Sequence, residues 1–71
     1  MSSKSIIIVA NGSPAEVVLP CSVADFLNQH GWKPSQVVIE YNGKVLSKKS
    51  LGSLALNEGD RLEIIVPVAG G

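Results

Sequence analysis

One stretch of this chain changes its hydrophobic period, and that change limits what the rest can build. Val23, Phe26, Leu27 and His30 recur at the spacing of one helical face. Ser22 stands where a side chain caps the first turn, and Asp25 three positions on suits a capping box and the positive helix end. Gly31 fits the left-handed residue just past the helix, and Trp32 the apolar contact that folds back onto it. Lys33-Pro34 then forbids continuation. The pattern predicts one helix of about two turns.

The other apolar runs are strand-like. Ile6 to Ala10 is β-branched and ends at Asn11-Gly12, a strong turn signal. Glu16 to Leu19 is a second run, closed by Pro20, so a hairpin with a connection from Asn11 to Ala15 is expected. Val37 to Tyr41 predicts a third strand, Asn42-Gly43 a tight turn, and Lys44-Val45-Leu46 a fourth. Lys48 to Ala55 is irregular, a loop or one helical turn anchored by Leu51, Leu54 and Leu56. After the turn chemistry of Asn57-Glu58-Gly59-Asp60, the run Arg61 to Val66 alternates, with Leu62, Ile64 and Val66 expected inward.

These elements predict an α+β fold, a mixed sheet of four to five strands with one helix packed across one face. Residues 1–66 form the expected domain and residues 67–71 a flexible tail. The first and last strands are the most apolar and should be central. One helix cannot cover both faces of a sheet, and Ile7, Val9 and Ile65 fall on the uncovered side. They predict an exposed apolar patch of the kind that marks partner surfaces. The alternative is scattered β-branched surface residues.

Composition narrows the function classes. Six basic residues balance six acidic ones, which argues against nucleic-acid binding by a basic surface. The single cysteine cannot form an internal disulfide. No apolar run approaches the length of a bilayer span, and no signal-peptide pattern follows Met1-Ser2-Ser3-Lys4-Ser5, so a cytoplasmic protein without membrane contact is expected.

The last five residues, Pro67-Val68-Ala69-Gly70-Gly71, follow the final strand with no polar spacer. Gly70 and Gly71 lack Cβ and tolerate close approaches denied to other residues, so such a tip suits a narrow partner site. Inside the chain no catalytic constellation competes. Cys21 is either a thiol activated by the helix N-terminus or a small structural residue. His30 has no second ligand at metal spacing and fits a helix-end role. Trp32 suits a lid at the helix exit. Lys44, Lys48 and Lys49 are either a solvated loop or a steering patch for an acidic partner.

Val38 to Leu46, Leu56 to Ile64 and Val68 to Gly71, with Asn11-Gly12 and Val23 to Leu27, resemble the ThiS family of sulfur carriers in thiamine biosynthesis. The resemblance covers nearly the whole chain. It departs at Ala69, where many relatives carry a first of three glycines, and Val-Ala-Gly-Gly is also close to the tail of MoaD, the small subunit of molybdopterin synthase.

The resemblance implies a ubiquitin-like β-grasp fold and a non-enzymatic co-substrate. An E1-like adenylyltransferase (ThiF-like) would use ATP and magnesium to adenylate the Gly71 carboxylate. A sulfur donor such as a cysteine desulfurase would then supply the sulfur of a terminal thiocarboxylate, which a ThiG-like thiazole synthase consumes. The carrier itself would bind no cofactor or metal. On this reading Gly71 carries the sulfur and Gly70, Ala69 and Val68 line the path into the partner site. Ile7, Val9 and Ile65 belong to the partner face. A MoaD-like role, a ubiquitin-like modifier joining Gly71 to lysines, and a binding module with an inert tail are the alternatives.

Overall fold

The computed structural model describes residues 4–68. Five strands and one helix follow in order: β1 (Ser5–Ala10), β2 (Ser13–Val18), α1 (Val23–Gln29), β3 (Val38–Tyr41), β4 (Lys44–Val45) and β5 (Arg61–Ile65). Short 3-10 helices lie at Pro34–Gln36 and Lys48–Ser50. The strands form one mixed sheet in the order β2-β1-β5-β3-β4, so the first and last strands are interior as the sequence predicts. β1 and β5 run parallel, and the β1–β2, β3–β4 and β3–β5 pairs are antiparallel.

The first hairpin is tighter than expected. Its connection is the two-residue turn Asn11-Gly12, with φ of 50° and 81°, rather than a loop reaching Ala15. β2 therefore begins at Ser13 and continues through Pro14. Proline survives there because β2 is an edge strand and Pro14 opposes Val9. The Val9 N–H points the other way, donating to the Asp60 carbonyl at 2.8 Å, so no ladder bond is lost. Asn42 and Gly43 make the same left-handed turn between β3 and β4, with φ of 49° and 88°. β3 starts at Val38, one residue later than predicted.

α1 forms as its sequence signals. Ser22 Oγ accepts the Asp25 N–H at 3.0 Å and the Asp25 carboxylate accepts the Ser22 N–H at 3.0 Å, completing the capping box. At the far end Gly31 has φ of 81°, the Trp32 N–H reaches the Leu27 carbonyl at 2.8 Å, and the Gly31 N–H reaches that of Asn28 at 3.2 Å. These two bonds define a Schellman ending.

The irregular 48–56 segment has a job that its sequence does not announce. Leu54 and Leu51 carbonyls accept the Val23 and Ala24 N–H groups at 3.0 and 2.9 Å. With Ser22 serving Asp25, the unpaired donors of the first helical turn are consumed. The carbonyl of Cys21 accepts from Leu56 at 2.9 Å, closing the same junction.

The core lies between α1 and one face of the sheet. Ile6, Ile8, Val17, Val23, Phe26, Leu27, Ile39, Leu51, Leu56 and Leu62 are buried there with Cys21 and Val37. Phe26, Leu27 and Val23 are the helix residues that the periodicity selects. Val66 departs from expectation: it is exposed, because β5 ends at Ile65 and no core lies beyond it.

Candidate functional site

Three side chains fix the start of β5 and hence the direction of the tail. Asp60 is the one buried charged residue among those described. Its Oδ2 accepts the Tyr41 hydroxyl and the Asn57 N–H, each at 2.8 Å, and its Oδ1 accepts from Asn42 Nδ2 at 3.2 Å. Asn42 Oδ1 in turn accepts the Arg61 N–H at 2.8 Å. The turns before β4 and β5 are thereby joined. Burial first, then the Asp60 carboxylate that it donates to, pushes the Tyr41 phenol above its ordinary value. On the other flank Asn11 Oδ1 accepts the Ile64 N–H at 2.7 Å. β5 is held on both sides almost to its last residue.

From that strand the chain leaves the sheet. Val66 and Val68 are exposed, Val68 to 88%, and Pro67 lies between them. The remaining predicted tail residues, Ala69, Gly70 and Gly71, lie outside the described residues.

The open face does not gather the three predicted patch residues into one surface. Ile7 and Ile65 are exposed, at 45% and 43%, and Val9 is half-buried. Val9 lies opposite Arg61 in the parallel pair, so Ile7 sits across from Gly59, whose N–H donates to the Ile7 carbonyl at 2.9 Å. Ile65 is then about 20 Å further along the sheet. The rows of Arg61, Glu63 and Glu40 separate them, with Glu40 directly opposite Glu63.

Each isoleucine has its own apolar neighbours. Ile7 lies diagonal to exposed Val18, whereas Ile65 opposes Val38, and Val38 in turn lies diagonal to exposed Val45 on the next strand. The second group adjoins the tail exit. Sequence reasoning missed Val38 and Val45, although both share the open-face parity of Ile65 once the β3–β5 register is known.

The interior candidates resolve into structural roles. Cys21 is buried, with its Sγ 3.4 Å from the Ser22 carbonyl. Burial, and secondarily the Asp25 charge, pushes its thiol up, so nothing here activates it as a nucleophile. His30 Nδ1 lies 3.0 Å from the Phe26 carbonyl, and its ring lies 4.2 Å from that of Phe26. Trp32 is half-buried against the core. Lys48 is anchored: its ammonium donates to the Ser35, Val37 and Pro34 carbonyls at 2.8, 3.0 and 3.4 Å. Among the described residues no cluster of His, Cys, Asp or Glu suits a metal ion, and no helix is long and apolar enough to cross a membrane.

A mixed five-stranded sheet folded over one helix, with the chain leaving at the end of its central strand, defines the ubiquitin-like β-grasp class. Comparison with known proteins narrows the class. The ThiS family model matches residues 8–71, and the chain belongs to that family.

The crystal structure of the thiamine biosynthesis protein ThiS from Geobacter metallireducens superposes with a TM-score of 0.78 at 25% identity, over 93% of this chain and all of that one. An uncharacterized protein, ycf40, of Porphyra purpurea is 34% identical over the full length of both chains. A thiazole synthase of Paramagnetospirillum magneticum is 31% identical over 64 residues, which are 90% of this chain but 20% of that protein.

Proposed function

We propose that this chain is a sulfur carrier whose Gly71 carboxylate is converted to a thiocarboxylate for thiazole formation in thiamine biosynthesis. The observation that carries the reading is the exposed exit of β5. Its last bonds are made at Ile64, to the Asn11 side chain, and at Ile65, in the pair with Val38, and the chain then runs into Val66, Pro67 and Val68 beside the apolar pair of Ile65 and Val38. Membership of the ThiS family supports the same function. The partial match to a protein named thiazole synthase favours thiazole over a pterin as the destination of the sulfur.

The chemistry follows from the weakness of a carboxylate as an acyl donor. An E1-like adenylyltransferase of the ThiF type, with its own ATP and magnesium, attaches AMP to the Gly71 carboxylate and releases pyrophosphate. Sulfide attacks the acyl carbon and forms the C–S bond as AMP leaves; a persulfide donor, such as that of a cysteine desulfurase, forms an acyl disulfide as AMP leaves, and a thiol then cleaves its S–S bond, releasing the thiocarboxylate and a disulfide. A ThiG-like thiazole synthase then takes the sulfur. This chain supplies the handle and the docking surface, and acts as a co-substrate rather than an enzyme. Gly70 is the slender neck of the handle, with Ala69 and Val68 leading in.

The test is the intact mass of the chain after incubation with the adenylating enzyme, ATP, magnesium and a sulfide source. A gain equal to one oxygen replaced by sulfur, absent when Gly71 is deleted, is the expected result. No gain with an enzyme that is active on another carrier overturns the reading.

A further inference from the structure

The main-chain groups of β5 alternate between its two neighbours, and the alternation has an unequal end. Arg61, Glu63 and Ile65 face β3, where they oppose Asn42, Glu40 and Val38; the Asn42 N–H donates to the Arg61 carbonyl at 2.9 Å. Asp60, Leu62 and Ile64 face β1. The Asp60 and Leu62 carbonyls accept from Val9 and Asn11 at 2.8 and 2.9 Å. β1 then turns away at Asn11-Gly12, and the Asn11 side chain takes the Ile64 N–H. From the Ile64 carbonyl onward this edge has no strand beside it among the described residues. The same alternation assigns Val66 and Val68 to it.

The opposite edge is closed in another way. Pro67 is the next residue on the β3 side and has no N–H to give. Before Val38, moreover, the chain of β3 comes out of the 3-10 helix Pro34–Gln36 and offers no strand. Over the described residues 66–68, only the edge of Val66 and Val68 keeps both donors and acceptors.

We propose that the partner acting on the tail adds a strand to this edge, pairing main chain to main chain with Ile64, Val66 and Val68 in the space that β1 vacates. The pairing deepens the carrier function proposed above and presupposes it. Its occupant is an extended segment in the wall of the adenylating site. Three residues separate Val68 from Gly71, at most about 10 Å of chain. A site that grips the Gly71 carboxylate therefore brings its own surface alongside Val66 and Val68. Peptide groups carried into such a cleft lose water and need partners, which an extended strand supplies at the matching repeat. Pro67 lies on the opposite edge and takes no part in the pairing, which falls on the side of Val66 and Val68.

Total synthesis of the chain with an ester in place of the amide at Val66, or at Val68, removes one N–H from the open edge. Pro67→Ala adds one to the closed edge. The urea midpoint of each should match the parent, since none of these groups is bonded in the free fold. In pyrophosphate exchange by a ThiF-like adenylating enzyme, each ester should raise the KM for the carrier about fivefold with little change in kcat, and Pro67→Ala should leave both unchanged.

Amide exchange at Val66 and Val68 should slow by about tenfold or more in the ATP-free complex. Parent-like KM for both esters, or unslowed exchange at both amides at saturation, overturns the pairing. If the unmodified chain supports no exchange by an enzyme active on another carrier, the carrier function itself fails, and the pairing with it.

Discussion

The Tyr41 hydroxyl donates to the Asp60 carboxylate at 2.8 Å across the junction of β3 and β5. The same carboxylate also holds Asn57 and Asn42, so one buried acid ties β3 and two turns to the root of the tail strand. Asp60→Ala should destabilise the fold by about 3 kcal/mol, because it strands several donors at once. Tyr41→Phe removes one donor and should cost about 1 kcal/mol. Urea unfolding of both variants measures the difference, and equal costs would refute the shared-acceptor account.

Asn11 serves two purposes that substitution can separate. It occupies a left-handed turn position with φ of 50° and it accepts the Ile64 N–H. Asn11→Gly keeps the turn and loses the acceptor, for a cost of about 1 kcal/mol. Asn11→Ala loses both and should cost about 2 kcal/mol. In each variant the Ile64 amide should exchange faster with solvent, as read by two-dimensional NMR.

Lys48 closes the gap between the two 3-10 helices through the carbonyls of Ser35, Val37 and Pro34. Lys48→Met retains the aliphatic stem and should cost about 1 kcal/mol. Lys49→Met, at the neighbouring exposed position, should leave the unfolding midpoint where it is. A matching loss in both would reduce Lys48 to a surface charge.

Stability should fall on the alkaline side. The Cys21 thiol is pushed above its ordinary value of 9.0 by burial and then by Asp25. A thiol that is raised on folding keeps its proton after the unfolded chain has begun to lose it. Its contribution is complete below the ordinary value and is lost as the pH rises through the folded one. Tyr41 adds the same sign at higher pH, above its ordinary value of 10.0. Urea midpoints across this range should decline for the parent and decline less for Cys21→Ala. The native thiol should also resist iodoacetamide until urea is added.

The separation of Ile7 from Ile65 gives the open face two ends with different expected weight. Ile65→Ser, beside the tail exit, should raise the KM for the carrier in adenylation about tenfold. Ile7→Ser, about 20 Å away along the sheet, should change it less than twofold. Equal effects would mean that the partner covers the whole face.

Much of this fold was legible because its signals are local. The capping box Ser22–Asp25, the Gly31-Trp32 ending and both Asn-Gly turns rest on contacts between residues a few positions apart. Such contacts form whatever the rest of the chain does. The same holds for the alternation that placed Ile7 and Ile65 on the open face. Pro14 shows the limit: its sequence signal breaks strands, and only its place on an edge strand opposite Val9 makes it harmless.

The sequence by itself determined the elements, the sheet-and-helix class and the glycine tip that suggests a carrier. Tertiary structure decided where those elements lie relative to one another. The parallel register of β1 and β5 parts Ile7 from Ile65, and the antiparallel register of β3 and β5 sets Val38 beside Ile65 at the tail exit. Long-range pairing likewise buries Asp60, commits Lys48 to carbonyls and hands the helix donors to Leu51 and Leu54. The physical reason is one of range. Capping and turn geometry are set by neighbours along the chain, whereas register and burial are set by which distant strand a residue meets, and no short window of sequence contains that partner.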